Sequence, residues 1–436
     1  MKAKAHAEKR LFISLLTRDI SLADAFLDLI DNSINAALKA KAVDDKKASA
    51  YIAVLESNIV PQFSVNIKIL PNAIEINDDC GGIALDHAQN EVFIFGARDE
   101  DSHHEDSLSV YGIGLKRALF KLGRHVEIIS EHPSGGFSMN LDVMKWEKDT
   151  EQPWTFPIAP RLPSEKGTTK ITISGIYTAV ASRLEDTAFI EELKRRVSVA
   201  YSFFTAKIVN VYINKEKVPS RQATISTNKA TDSFTVDNVS VTIMAGLGTP
   251  LDKRYVADRA GWNVYCNGRA VISYDKNALT GWGIDGYLPS FQPKHRPFVG
   301  LVFFASDQPE ALPWTTTKLG VNTDNLIWQR TLKRMADVGR QVTRFLDSRY
   351  QEDGTTITTD ELSDAIGESS AVRLSPSGAA TTFKAPVRKS SPTTSIQYRV
   401  DKKELVAVKE AIGNRSMSNS DVGRYTYDYF RENEID

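Results

Sequence analysis

The sequence predicts a mixed α/β fold in which helices are folded onto a sheet, and two observations support this prediction. First, helical and strand-like stretches alternate over residues 1–180. A helical stretch at 19–40 precedes the strands SVNIKIL and AIEINDD, and the helical stretch GLKRALFKLG precedes three further strands. Second, the 436 residues are 42% hydrophobic and 25% charged, as in ordinary globular proteins, which allows two or three domains that each bury a core.

The pattern along the chain predicts four segments. An α/β domain occupies residues 1–180, and a second domain of strands and helices occupies 181–352, ending in a long helix from about Leu326 to Tyr350. Residues 353–395 are rich in Ser, Thr, Pro and Ala, which predicts a flexible linker. Residues 396–436 predict a small C-terminal module of one strand, IQYRV, followed by two helices.

Charge, cysteine content and hydropathy exclude several classes of protein. The formal net charge of −1 supplies no global field that would draw the chain to nucleic acid or to a membrane. Cys80 and Cys266 are the only cysteines, too few for a disulfide framework or a four-cysteine zinc site. The start, MKAKAHAEKR, lacks the apolar core of a signal peptide, and apolar runs such as FVGLVFFA are too short to span a bilayer. We therefore expect a cytoplasmic protein without membrane contact.

The first helical stretch has an unusual polar face. At 3.6 residues per turn its apolar side chains share one side, and the other side carries Asp24, Asp28, Asp31, Asn32 and Asn35. Solvated helix faces normally carry Lys, Glu and Arg, whereas short carboxylates and amides are groups that can hold a metal ion or a water. The alternative is an ordinary solvated face.

Three further motifs follow in order. DDCGGI (78–83) ends a strand with an acid and two glycines, which allow a ligand to approach the backbone closely. YGIGLKRA (111–118) is a glycine-rich turn that opens a helix, whose free N–H groups and dipole favour phosphate. KGTTKITI (166–173) places a Gly-Thr pair at the start of a strand. Each motif alone is weak, since a glycine-rich turn before a helix is also an ordinary turn.

Together, in this order and at these spacings, the four motifs resemble those of the GHKL ATPase superfamily, which includes gyrase, heat-shock chaperones, histidine kinases and MutL-type proteins. The resemblance implies a Bergerat-type α/β sandwich ATPase domain with ATP and Mg²⁺ as cofactors. The superfamily's first motif, E-L-x-x-N-x-x-D-A, is matched by Asp28–Ala36. This match implies that Asp28 orients and deprotonates the attacking water, that Asn32 coordinates Mg²⁺, and that Asn35 also contributes to nucleotide binding.

The remaining motifs imply further contacts with the nucleotide. Asp78 would accept a hydrogen bond from the adenine amino group, with Gly82 in the same motif and Thr168 supporting the adenine side. Gly112 and Gly114 would lie against the phosphates, and residues 96–112 would form a mobile lid. Among the nearby cations Arg98, Lys116 and Arg117, we expect a phosphate contact only from Lys116.

Two departures from the superfamily pattern bear on activity. Asp28 stands where many members have Glu, which withdraws the carboxylate by roughly 1.5 Å. A misplacement on that scale can cost on the order of a hundredfold in rate, so the sequence predicts slow hydrolysis. Cys80 replaces the first glycine of the second motif. No G-x-x-x-x-G-K-[ST] pattern occurs in the chain, so a Walker-type phosphate loop is excluded.

The second domain narrows the resemblance. VYCNGRAVI (264–272) and LPWTTTKLGVN (312–322) resemble the transducer-type domain of MORC and MutL proteins, where a loop lysine reaches the γ-phosphate, and Lys318 matches that lysine. The pattern is closest to bacterial MORC-like proteins over residues 10–350. It implies an ATP-closed homodimer, joined partly by the segment before Asp19, that acts as a switch or as a clamp on DNA. Bacterial proteins of this type can sit in mobile phage-defence loci, and neighbouring genes would be needed to decide this.

Several alternatives stay open. A scaffold that binds ATP without hydrolysing it is the main competitor because of Asp28, and a chaperone-like remodeller of proteins is another. The C-terminal module resembles a ribbon-helix-helix fold, which would make it a dimeriser and make Gln397 and Arg399 candidate contacts to DNA bases. Otherwise it would dock a protein partner. His103 and His104 invite a metal site, but adjacent histidines in an acidic stretch are more often simply solvated.

Overall fold

A computed structural model describes most of the chain. The described residues are 8–42, 60–95, 108, 112–149, 154–252, 254–353, 380–385, 396 and 398–435. They divide into two compact units, Met1–Ala385 and Pro386–Asp436. The first unit therefore contains both domains that the sequence predicts before residue 352.

Helices and strands alternate through the first unit. Its helices are α1 (Lys9–Arg18), α2 (Leu22–Ala42), α3 (Leu85–His87, continued by a wider turn over Ala88–Val92), α4 (Gly114–Leu122), α5 (Val143–Lys148), α6 (Thr178–Leu184), α7 (Thr187–Ala200), α8 (Ser202–Lys207) and α9 (Leu326–Asp353). Short 3₁₀ turns occur at Ala257–Arg259, Ala278–Thr280, Pro293–His295 and Pro309–Ala311.

The first sheet has eight strands in the order β5-β4-β3-β6-β2-β1-β7-β8. These strands are β1 (Phe63–Leu70), β2 (Ala73–Asp78), β3 (Gly123–Glu131), β4 (Gly136–Asp142), β5 (Ile158–Arg161), β6 (Thr168–Ile176), β7 (Val209–Ile213) and β8 (Glu216–Lys217). All neighbours are antiparallel except β1 and β7. Because β7 and β8 follow residue 180, the sheet extends beyond the boundary that the sequence suggests between the two domains.

The alternation of side chains along β2 explains how a carboxylate enters the core. Ile74, Ile76 and Asp78 fall on one face of the strand, and all three are buried. The period of two therefore places Asp78 on the same face as two core side chains. Phe26, Leu29 and Ile30 of α2 belong to the same core cluster, which agrees with the apolar stripe predicted for this helix.

The second sheet has the order β12-β11-β13-β10-β9. Its strands are β9 (Lys229–Val236), β10 (Val239–Leu247), β11 (Gly261–Cys266), β12 (Arg269–Asp275) and β13 (Phe298–Ala305). The run FVGLVFFA forms β13, which is buried almost throughout, as its apolar sequence predicts. Trp328, Met335, Val342 and Leu346 on α9 are buried in the core, and α9 packs on β9 and β10. The mixed α/β prediction is confirmed.

Part of the segment predicted as a linker is packed. Phe383 is buried against Phe345 of α9, and Thr381 forms a bridge with Thr231 of β9. Residues 380–385 therefore add to the edge of the second sheet, unlike the flexible linker predicted over 353–395. Most of that stretch lies outside the described residues.

The second unit contains two helices, α10 (Lys402–Ala411) and α11 (Asn419–Glu434), where the sequence predicts them. Ile396 and residues 398–400, predicted as part of a strand, are not in a regular strand, and Gln397 lies outside the described residues. Several apolar side chains of this unit are exposed, namely Ile396, Tyr398, Val400, Val406, Val408, Tyr425, Tyr427, Tyr429 and Phe430. Among the described residues of the whole chain, no helix is long and apolar enough to cross a membrane.

Candidate functional site

The three carboxylates on the polar face of α2 are covered by protein. Asp24, Asp28 and Asp31 are each no more than 4% exposed. A buried carboxylate is strongly unfavourable unless it is paired and hydrogen-bonded, and each of the three has at least one cationic partner. The three carboxylates are therefore shielded from bulk solvent, and their cationic partners come from α4, α7, β12 and the loop that contains Lys318.

Asp28 is held by an arginine of α4. Arg117 Nε lies 2.5 Å from Asp28 Oδ2, and Arg117 Nη2 lies 2.7 Å from Oδ1, so the guanidinium contacts both carboxylate oxygens. Both side chains are buried. Two parallel hydrogen bonds between ionised groups form the strongest common type of ion pair, with a fixed relative orientation. The third nitrogen, Nη1, lies 3.5 Å from Thr316 O.

Asp31, one helical turn further along α2, links this helix to β12 and to the loop that contains Lys318. Arg269 Nε at the start of β12 lies 2.9 Å from Asp31 Oδ1, and Lys318 Nζ lies 2.8 Å from Oδ2. Tyr201 Oη lies 2.7 Å from Oδ1, and Arg269 Nη1 donates to Lys318 O at 2.5 Å. Burial by itself would raise the pKa of Asp31, but Arg269 and Lys318 outweigh burial and hold this pKa below its ordinary value.

Removing the charge of Asp31 should destabilise the fold. We expect Asp31→Asn to lower the free energy of unfolding by about 3–5 kcal/mol, because Arg269 and Lys318 would remain buried without their counter-ion. Urea denaturation at neutral pH measures this loss. Since folding lowers the pKa of Asp31 below 3.8, its contribution is complete above that pH and is lost only as the pH falls further.

A surface ion pair provides the control for this variant. Asp337 pairs with Arg340 on α9, and the Asp337 side chain is 66% exposed. Asp337→Asn should therefore change stability far less. An equal loss in the two variants would contradict the role of Asp31 as the counter-ion of a buried cluster.

A pocket of about 240 Å³ opens beside Asp28. Its lining comes from α1 and the turn after it, α2, the start of α4 and the loop before α9, namely Leu15, Leu16, Asp19, Ile20, Asp28, Gly112, Ile113, Gly114, Arg117, Thr316, Thr317 and Lys318. Ile113, which precedes α4, provides no side-chain cap, and the positive end of the α4 dipole at this N-terminus favours an anion. The pocket therefore combines a helix N-terminus with two cationic side chains.

Gly112 and Gly114 shape the approach of α4 to Asp28. Gly112 has φ +58°, a left-handed conformation that glycine adopts at little cost. A Cβ atom at Gly114 would lie 3.4 Å from Asp28 Oδ1, in ordinary van der Waals contact, so the start of α4 lies directly against the carboxylate. The structure thus brings together Asp28, Gly112, Gly114 and Lys318, as the sequence predicts, and adds Arg117.

Lys318 enters the pocket from a tight loop. Trp314 pairs with Val321, Thr315 N donates to Gly320 O at 3.0 Å, and Lys318 N donates to Thr315 O at 2.8 Å. Lys318 itself has φ +56°, which costs energy for a residue other than glycine and is often found at functional sites. Its ammonium contacts Asp31, and its role toward a γ-phosphate stays a prediction.

Asn32 has an amide suited to a hard cation. Its Nδ2 donates to Asp28 O at 2.8 Å, so among the described residues the Oδ1 atom remains free to ligate a metal. No group of three or more His, Cys, Asp or Glu that could hold a metal occurs in the described ranges. One amide oxygen fits Mg²⁺, which takes few protein ligands beside water and phosphate.

Asp78 and its neighbours form a second polar cluster. Ser33 Oγ donates to Asp78 Oδ2 at 2.6 Å, and Cys80 N donates to Oδ1 at 3.1 Å. Burial raises the pKa of Asp78 to about 6, although both hydrogen bonds oppose this rise. Asp78 lies directly opposite Thr169 in the ladder between β2 and β6, and Thr169 Oγ1 lies 3.1 Å from Ser130 Oγ.

The position of Thr169 corrects the sequence prediction for Thr168. Opposed residues of an antiparallel ladder share a face, so Thr169 is on the face of Asp78 and Thr168 is on the other. Thr168 Oγ1 donates to Glu131 Oε2 at 3.3 Å instead. Thr169 is therefore the threonine positioned to support Asp78.

Gly82 serves backbone packing. It has φ +68°, and a Cβ atom there would lie 1.9 Å from Glu131 O. Next to it, Gly81 N donates to Gly167 O at 3.0 Å, so the second and fourth sequence motifs contact each other directly. Gly82 does not line the pocket beside Asp28.

Lys116 does not reach this pocket, contrary to the sequence prediction. Its side chain is fully buried, and its ammonium donates to Val92 O at 2.9 Å and to Ile94 O at 2.8 Å. It also lies over the ring of Phe95, 5.1 Å from the centroid. Lys116 therefore holds the end of the α3 segment, and the adjacent Arg117 faces the pocket.

Asn35 contacts the predicted lid. Its Oδ1 accepts a hydrogen bond from Leu108 N at 2.7 Å. Most of the predicted lid, including Arg98, His103 and His104, lies outside the described residues.

Sequence reasoning missed the roles of Arg117, Arg269 and Tyr201. Arg269 gave a usable signal, because an arginine within the apolar run VYCNGRAVI needs a buried partner. Arg117 gave none that separates it from Lys116.

Residues 20–178 match the protein-family model described as histidine kinase-, DNA gyrase B-, and HSP90-like ATPase. The matched segment begins just before α2 and ends just after β6, so it contains Asp28, Asn32, Asp78 and the start of α4. The match supports a GHKL-type ATPase domain in this part of the chain, and such a domain suggests ATP binding. Among curated proteins, none matches the chain.

Proposed function

We propose that this protein binds Mg-ATP and hydrolyses it slowly to ADP and phosphate, with the phosphates in the pocket beside Asp28. One observation carries the proposal: a buried carboxylate borders a pocket that also has an uncapped helix N-terminus and two cations, Arg117 and Lys318. Helix N-termini and cations favour phosphate, and a carboxylate beside a terminal phosphate can accept the proton of an attacking water.

Asn32 and Asp78 would bind the metal ion and the adenine of the same nucleotide. Asn32 would hold Mg²⁺, which neutralises charge on phosphate oxygens when it is bound. Asp78, ionised above its pKa of about 6, would accept a hydrogen bond from the adenine amino group, with Thr169 and Ser33 supporting the carboxylate. Cys80 is buried beside Asp78, and burial raises the pKa of its thiol, so it stays a neutral packing residue.

We further propose a MORC-like cycle in which ATP closes a homodimer. Lys318 belongs to the second domain and lines the pocket, which supports coupling between nucleotide state and that domain. Leu11 and Leu15 on α1 are more than half exposed, and Leu15 also lines the pocket, which supports a protomer contact near the nucleotide. A clamp on DNA is the output proposed by analogy. Its DNA binding should weaken as salt rises, and salt-independent binding would contradict it.

Replacing Asn32 tests whether this residue makes ATP binding depend on Mg²⁺. Asn32→Ala should weaken ATP binding about tenfold in the presence of Mg²⁺ and leave binding in EDTA unchanged, because the contact through the metal is the one contact to the nucleotide that the variant loses. Isothermal titration calorimetry with ATP in the two buffers measures this difference. Asn433→Ala is the matched control, since Asn433 Nδ2 donates to Tyr429 O at 2.7 Å in the same i to i−4 arrangement.

Phosphate release by the wild-type protein separates the two candidate functions. Turnover of ATP supports a cycling ATPase. ATP binding without turnover would support the alternative of an ATP-gated scaffold. An equal effect of Asn32→Ala with and without Mg²⁺ would contradict metal ligation by this residue.

A further inference from the structure

Arg117 is hydrogen-bonded to Asp28, the carboxylate that is proposed to accept the proton of the attacking water. Both oxygens of Asp28 accept hydrogen bonds from the guanidinium, at 2.5 and 2.7 Å, and the two side chains are 2% and 7% exposed. In this geometry the guanidinium occupies both oxygens of Asp28, so neither oxygen is free to contact an attacking water. The ion pair therefore opposes the step in which Asp28 would act as a base.

The same guanidinium faces the phosphate end of the pocket. Arg117 lines the pocket with Gly112 and Gly114, next to the uncapped start of α4. Guanidinium binds phosphate with the same paired geometry that it uses for carboxylate. Lys318, the other cation lining this pocket, is held by Asp31. A terminal phosphate that entered the pocket would thus compete directly with Asp28 for Arg117.

We propose that Arg117 is a positioning residue that senses the γ-phosphate. It holds Asp28 in the ion pair while the pocket lacks a terminal phosphate, and it exchanges the carboxylate for the γ-phosphate when ATP binds. The exchange leaves Asp28 free to orient and deprotonate water only when a hydrolysable phosphate is present. This inference rests on the proposed function and adds a way to distinguish ATP from ADP, because ADP offers no γ-phosphate for the exchange.

The exchange predicts that removing the charge of Asp28 strengthens, rather than weakens, binding of an ATP analogue. Since Asp28 and the γ-phosphate compete for the same guanidinium, Asp28→Asn should raise affinity for a non-hydrolysable ATP analogue by about tenfold, or about 1.4 kcal/mol. Affinity for ADP should stay within about twofold. Arg117→Met should lower affinity for the analogue by about tenfold or more and leave ADP binding nearly unchanged.

Calorimetric titration of the full-length protein with the analogue and with ADP tests this inference. Five proteins are compared: wild type, Asp28→Asn, Arg117→Met, Arg117→Lys and the double variant of Asp28→Asn with Arg117→Met. The double variant removes both buried charges and so keeps a neutral pair if Arg117→Met alone fails to fold. In the double variant, the affinity gained from Asp28→Asn should disappear. Arg117→Lys keeps the charge but lacks the planar guanidinium that binds two oxygens at once. It should therefore retain part of the preference for the analogue over ADP.

Two results would overturn the inference by itself. One is a gain from Asp28→Asn that persists in the double variant, and the other is an equal loss of analogue and ADP binding in Arg117→Met. A purely structural role for Arg117 would produce the second result. If wild type bound neither nucleotide, the proposed function would fail and this inference with it.

Discussion

Asp28→Asn should lower the rate of ATP hydrolysis by about a thousandfold without weakening ATP binding. Removing a general base typically costs between a hundredfold and ten-thousandfold, because an amide cannot accept the proton of the attacking water. The substitution keeps the shape of the side chain and one oxygen that can accept a hydrogen bond from Arg117. Phosphate release under single-turnover conditions isolates the chemical step from product release.

Asp24→Asn is the matched control for this prediction. Asp24 lies one helical turn before Asp28 on α2, is equally buried and is also bound to an arginine, with Arg196 Nη2 at 2.6 Å. It does not line the pocket. Hydrolysis should therefore change little in Asp24→Asn. If both variants lost activity to the same extent, the loss would reflect damage to α2, and if neither did, the catalytic centre would lie elsewhere.

Periodicity predicted which side chains share a face, but not what covers that face. The spacing of Asp28, Asp31 and Asn32 on α2 follows from 3.6 residues per turn. The cationic partner of Asp28, Arg117, is 89 positions away in the sequence, and those of Asp31, Arg269 and Lys318, are 238 and 287 positions away. Long-range ion pairs leave no local pattern, so the sequence indicated a binding face without revealing that it is paired with cations.

The predictions for Lys116 and Thr168 were each one position away from the residue that faces the site, Arg117 and Thr169. Neighbours on a helix point about 100° apart, so either Lys116 or Arg117 could face the pocket, depending on where α4 begins after Gly112. Neighbours on a strand point to opposite faces, so a shift of one residue exchanges Thr168 for Thr169. The glycine motifs located each turn only to within one or two residues. A shift of one residue is enough to change which side chain faces the site.

Asp78→Asn should change nucleotide binding and stability in opposite directions. Loss of a charged acceptor for the adenine amino group should weaken ATP binding by about tenfold to a hundredfold. The free energy of unfolding at pH 7 should rise by about 2 kcal/mol, because the wild-type protein buries an ionised carboxylate whose pKa is raised to about 6. An asparagine can still accept from Cys80 N and donate to Ser33 Oγ, so the local hydrogen bonds survive.

The pH dependence follows from the same shift. Burial raises the pKa of Asp78 from 3.8 to about 6, so the folded state binds more protons than the unfolded state between these values. This contribution to stability is therefore complete below pH 3.8 and is lost as the pH rises through 6. Urea denaturation at pH 5 and pH 7 should show a smaller fall in stability for Asp78→Asn than for wild type. ATP binding by wild type should weaken below about pH 6, where the carboxylate becomes protonated.

Opposite changes in ATP affinity and in stability distinguish a residue that binds the nucleotide from one that only supports the fold. Asp79→Asn is the control, because Asp79 is exposed and its carboxylate accepts from Ser64 N at 2.6 Å and Ser64 Oγ at 2.8 Å. It should keep ATP binding and lose some stability. If Asp78 were only a structural acceptor, Asp78→Asn would behave in the same way, with lower stability and little specific loss of ATP binding. If Asp78→Asn gains stability and binds ATP more weakly, the buried charge of Asp78 lowers the stability of the wild-type protein. Recognition of adenine then explains why the protein carries that charge.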